Sequence, residues 1–178
     1  MLLIELHVLA GRLHTTPWGR HVNEGAVEWP PSPWRFLRAL VATWYLKART
    51  EVPEPHLREL LAALADRLPV FRLPAATQGH TRHYMPVIEG RNQKTTKVFD
   101  AFLHVAGPVQ MAWDVSFPPE LSRALSLLCE RLGYLGRAES LVEARLVTAR
   151  ADFTPNARPL PPTCPYRKAA NWSACSVP

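Results

Sequence analysis

The residues best suited to chemistry fall early, in the run Gly11-Arg12-Leu13-His14-Thr15-Thr16-Pro17-Trp18-Gly19-Arg20-His21. Arg12 and Arg20 can contact phosphates, and Trp18 offers a face on which a base can stack. The same run also reads as a surface loop whose Trp18 plugs into the core while its arginines face water. Both readings stand at this level. His14 or His21 could act as general base or acid toward a ribose 2′-hydroxyl, because imidazole titrates near neutrality. With Tyr84 or Lys94 in support, that would be a metal-independent endoribonuclease. The spacing alone does not establish it, so no residue is assigned as catalytic.

A second basic group lies between His80 and Lys97. Arg82, Arg91, Lys94 and Lys97 are set against a single Glu89, with His80, His83 and Tyr84 alongside. A projecting hairpin so one-sided in charge can lie along a phosphate backbone; a solvated hairpin is the alternative. His80 and His83 have metal-ligand spacing but no acidic or cysteine neighbour, so no metal is expected. No Gly-rich phosphate loop, G-x-S-x-G or H-E-x-x-H is present, and no cofactor is implied.

The whole chain carries the same bias. Its 178 residues have a formal charge of +6, which favours a polyanionic partner. The length suits one domain with a core of its own, and the 47% hydrophobic content is too high for a disordered chain. No run approaches the roughly 20 apolar residues that cross a bilayer. Glu5 and His7 interrupt the apolar N-terminus, which argues against a signal peptide and for a cytoplasmic protein. Cys129, Cys164 and Cys175 are odd in number and unpaired in spacing. Cys129 falls on an apolar helical face and should be a buried thiol.

Those residues must be held by a small set of elements. Leu2–Leu9 alternates as a strand, followed by a long link from Ala10 to Pro33. Ser32 caps a helix with Pro33 in its first turn and Trp34, Phe36, Leu37, Leu40, Val41 and Trp44 on its apolar face, to about Ala48. A second helix runs from about Glu54 to Leu68. Val70–Leu73 is a short strand. His80–Val87 and Lys97–Val105 form the arms of a long hairpin with Glu89-Gly90-Arg91-Asn92 at its tip. Val109–Phe117 is a strand, Pro119–Leu132 a helix and Ser140–Thr148 a last strand. The order predicts an α+β, ferredoxin-like domain over residues 1–150, with a projecting thumb hairpin at about 80–105. Residues 151–178 are proline-rich and irregular.

The run Gly11 to Gly25, continuing from Glu28-Trp-Pro-Pro-Ser-Pro-Trp-Arg-Phe-Leu-Arg-Ala-Leu40, resembles the opening of the fused Cas-five/Cas-six protein of type I-G (formerly I-U) CRISPR systems. Lys97-Val-Phe-Asp-Ala-Phe-Leu-His-Val105 resembles the strand after the thumb in Cas-five proteins. Tyr134-Leu-Gly-Arg-Ala-Glu-Ser140 resembles their Leu-Gly-Arg turn. The likeness covers about residues 1–160 and implies an RNA-recognition-motif-like (RAMP) fold. It also implies a guide-RNA-binding subunit of a Cascade-like antiviral complex, holding the 5′ handle beside the backbone and large subunits; a protein-only adaptor of the complex, its basic hairpin docked on an acidic partner, is the alternative. Arg137 would then sit close to the handle. The RNA-binding set so expected is Arg12, His14, Trp18, Arg20, His21, Arg82, His83, Tyr84, Arg91, Lys94, Lys97 and Arg137. The family continues into a Cas-six-like repeat endoribonuclease half, to which cleavage would belong. The tail Cys164–Pro178 has no element pattern and is expected to be an out-of-frame reading that ends a truncated protein.

Overall fold

A computed structural model describes residues 1–89, 92–147 and 153–160. The fold is α+β, with two antiparallel sheets and three α-helices among the described residues. The first sheet contains β1 (Leu2–Val8), β3 (Val70–Arg72), β6 (Val109–Trp113) and β7 (Val142–Val147), in the order β3-β6-β1-β7. The second contains β2 (Arg12–Leu13), β4 (Ala76–Glu89) and β5 (Asn92–Val105), in the order β2-β5-β4.

Alternation makes the first sheet two-faced. Ile4 pairs with Met111, Leu6 with Val109 and Leu2 with Trp113, so these six share one face. All six are buried, and Phe71 joins them opposite Met111. On the other face Gln110 donates to Glu5 at 2.8 Å. The apolar face is covered by α1 (Pro33–Thr43), α2 (Glu54–Asp66) and α3 (Pro119–Glu130). Trp113 joins these layers, its ring 6.1 Å from that of Phe36 and its indole N–H donated to the Leu64 carbonyl at 3.1 Å.

Helix stripes follow the 3.6-residue period. Phe36, Leu37, Leu40 and Trp44 are buried, as are Leu57, Leu60 and Leu64, and Leu121, Leu125, Leu128 and Leu132. Three expectations are corrected. Trp34 is 60% exposed and does not open the apolar face. At about 100° per residue it lies roughly 200° around the helix from Phe36, on the solvent side. Ser32 precedes α1 without a side-chain cap; instead the Glu28 carboxylate accepts the Ser32 N–H at 2.8 Å. The last stretch, Trp44–Ala48, is a π-helical turn, with the Trp44 indole donating to the Val52 carbonyl at 2.7 Å.

The hairpin is longer than expected, with its register running from Ala76 opposite Val105 to Glu89 opposite Asn92. Its tip residues Gly90 and Arg91 lie outside the described residues, as do Thr148 and the tail Cys164–Pro178. Within residues 153–160 the chain returns to β3: Ala157 is buried and bridges Phe71, and the Asn156 side chain bonds both backbone groups of Leu73.

Cys129 is fully buried on α3, and burial pushes its thiol from the usual 9.0 up to about 12. The folded chain therefore holds this proton more tightly than the unfolded chain. The associated stability is complete below about pH 9 and is lost as pH rises from there toward 12. Native Cys129 should resist iodoacetamide at pH 8 and react once urea unfolds the chain. Peptide mapping that finds it alkylated in the native state would contradict this burial.

Candidate nucleic-acid interface

The hairpin presents one face of unusual composition. Arg82 pairs with Phe99 and Tyr84 with Lys97, and paired residues share a face. His80, two residues before Arg82, joins them. Near the base this same face carries Leu103 and Val105, which are buried against the core. Beyond the core the face emerges into water. There the Arg82 guanidinium lies 5.4 Å from the Phe99 ring centre and Lys97 Nζ lies 5.9 Å from that of Tyr84. The His80 and Phe99 rings are 5.9 Å apart. Tyr84 is 59% exposed, and Arg82 and Lys97 are exposed. Cations held over ring faces keep their charge available to phosphates while the free ring faces can take bases. His83 stands on the opposite face, bonded to Thr81 at 3.1 Å. Lys94 is placed by backbone register opposite Val87.

Toward the base of the hairpin the opposite face is packed rather than open. Gly79 sits against Phe102, whose ring would lie 2.8 Å from an added Cβ, so a larger residue here would have to displace the ring. Phe102 in turn carries the exposed Arg12 guanidinium at 4.8 Å and the His14 ring at 5.4 Å.

His14 is buried, with Nδ1 3.4 Å from an Asp100 oxygen and 3.9 Å from a Glu139 oxygen. That nitrogen has no hydrogen-bond partner among the described residues. His14 is therefore an interior group and does not present its imidazole on the outer surface. Arg137 contacts Asp100 and lies 3.4 Å from Glu139. The imidazole and two carboxylates come close enough for a divalent cation, their ligand atoms lying within 4.8 Å of one another. Arg137 already supplies positive charge between those carboxylates. The turn bearing Arg137 is stitched to the His14 backbone: Arg137 N–H donates to the His14 carbonyl at 3.2 Å, and His14 N–H to Ser140 Oγ at 2.8 Å.

The link between β2 and α1 is ordered by its own bonds. Thr15 Oγ1 donates to the Glu28 carbonyl at 2.9 Å, and Glu28 N–H to the Thr15 carbonyl at 2.8 Å. The buried Glu28 carboxylate accepts Arg35 Nε at 2.8 Å and Nη2 at 3.1 Å, a two-pronged pair. Arg35 Nη2 also donates to the Thr16 carbonyl at 2.6 Å. Trp18 is 81% exposed, which removes the reading in which it plugs the core. Arg20 is paired with Glu24 at 3.0 Å. The His21 N–H donated to Glu24, with Arg20 second, holds that carboxyl below its usual range. His21 is exposed, its Nδ1 accepting the Asn23 N–H at 3.3 Å.

Of the expected residues, Arg82, Tyr84 and Lys97 converge on one exposed face, whereas Arg12, His14 and Arg137 gather on the other side around Phe102 and Asp100. Arg91 lies outside the described residues. His80 and Phe99 belong with the first group, and alternation within β4 and β5 was the signal that could have placed them. The sequence matches no protein-family model and no curated protein. Among the described residues, no helix is long and apolar enough to cross a membrane.

Proposed function

We propose that this chain grips RNA as an architectural subunit, holding the 5′ handle of a guide RNA in a type I CRISPR surveillance complex in the cytoplasm. The observation that carries the reading is the hairpin face of His80, Arg82, Tyr84, Lys97 and Phe99, where cations and aromatic rings alternate along an exposed ribbon. Single-stranded RNA needs both kinds of group, phosphate partners and stacking faces. The fold supports it. In the order β3-β6-β1-β7, β6 lies between β1 and β3 and β1 lies between β6 and β7, an interleaving that supports the reading as a ferredoxin-like, RNA-recognition-motif-like (RAMP) domain. The hairpin then takes the part of the thumb, and the backbone and large subunits of the complex are the protein partners.

The test is binding to labelled repeat RNA from the same locus, against a scrambled control, over a salt series. About four to six phosphate contacts at roughly −0.7 each predict a log–log salt slope of about −3 to −4. The repeat should be preferred and remain intact on a gel. A slope near zero, or equal binding of both RNAs, would remove the handle-binding assignment.

A further inference from the structure

A cleft of about 230 Å³ opens beside the N-terminus of α1, with no described residue of the hairpin in its lining. Three separate segments line it: Trp18 from the β2–α1 link, Trp34, Arg35 and Arg38 from α1, and Tyr134 from the α3–β7 connection. All three aromatics are wet, Trp18 at 81%, Trp34 at 60% and Tyr134 at 44% exposure. Trp34 and Arg38 are four residues apart on one helix and so share a stripe.

The charged groups here differ in how far they are satisfied. Glu28 is consumed by Arg35 and the Ser32 N–H. Arg35 is thereby held rigid, yet its Nη1 has no acceptor in the protein among the described residues. Arg38 is exposed and forms no ion pair or hydrogen bond there. The lining therefore combines flat apolar faces with a net positive charge and unspent guanidinium donors. Its volume falls below the ~300 Å³ at which drug-sized pockets begin. A double helix is far too wide for it, whereas one base with its phosphate is of the right order.

We infer that this cleft captures a single unstacked nucleotide, with its base between the Trp18 and Trp34 side chains and its phosphate on Arg38, steadied by Arg35. The inference rests on the RNA-gripping reading above and gives that grip a second, base-sized subsite. Stacking on an aromatic side chain favours any base because every base has a flat face, and the guanidinium adds a salt-sensitive contribution.

The experiment titrates the full chain with adenosine 5′-monophosphate and, separately, with single-stranded hexa-adenylate, following tryptophan fluorescence. Wild type should be quenched by both. Trp34→Ala and Arg38→Ala should each weaken the mononucleotide about tenfold, whereas Trp34→Phe should stay within about threefold of wild type, because a ring face is restored. Both positions are exposed, so folding should survive, and circular dichroism checks it. Quenching by the mononucleotide that is unchanged in Trp34→Ala and Arg38→Ala would overturn the inference. So would a wild-type cleft that ignores nucleotide. Mononucleotide binding that the two variants abolish, in a chain with no preference for repeat RNA, would sustain the cleft while sinking the handle-binding reading.

Discussion

Replacing Arg82, Tyr84 and Lys97 together with alanine should lower repeat-RNA affinity by roughly two to three orders of magnitude. Two cations are lost, and at about −0.7 in log–log slope per phosphate each contributes about fivefold at 0.1 M salt. The loss of one stacking ring adds ~1–3 kcal/mol, or about five- to 150-fold. The salt slope should flatten by about 1.4, a signature that general unfolding would not give. All three side chains are exposed beyond the point where Leu103 and Val105 tie the hairpin to the core, so the melting temperature should hardly change. The matching control is His83→Ala. His83 stands on the opposite face and should leave affinity within about twofold. Equal losses in His83→Ala and the triple variant would mean that the RNA does not distinguish the two faces, and the proposed interface would fall.

The elements that could be read from sequence are those set by local periodicity. The buried stripes of α1, α2 and α3 and the alternation in β1 and β6 stand where the pattern places them. Trp34 shows the limit of reading apolar residues as one group. Its helical angle relative to Phe36 was computable, and it marks a solvent face that carries Arg38 as well. His14 shows a different limit. Its neighbour Asp100 comes from β5 through the β2–β5 register, and its neighbour Glu139 from the α3–β7 connection through the turn bonded to the His14 backbone. Nothing near His14 in sequence announces that burial. The Glu28 cap on Ser32 is hidden for a similar reason, since a serine before a proline is the stronger local signal than a glutamate four residues earlier.

Gly136→Ala should destabilise the chain by about 3 kcal/mol, lowering its melting temperature by roughly 6–12 °C. Gly136 has a φ of +91°, which a residue bearing a Cβ adopts at a cost. The space is also taken: the added Cβ would lie 2.5 Å from the His14 carbonyl oxygen and 3.0 Å from Thr15 Cγ2. Neither partner can yield cheaply. The His14 carbonyl accepts the Arg137 N–H, and the His14 N–H is committed to Ser140 Oγ, so the turn and β2 must move together. That movement would also separate Arg137 from Asp100, and it would displace Gly136 and Tyr134 along one wall of the cleft. Two readouts are therefore expected to fall in parallel: thermal stability, and nucleotide-dependent tryptophan quenching measured well below the new melting temperature. Ala138→Gly, an exposed change in the same turn, should shift neither by a comparable amount. A Gly136→Ala protein with wild-type stability would show that the turn can shift away from His14 without cost, and that its tight seat against β2 does not hold this side of the site together.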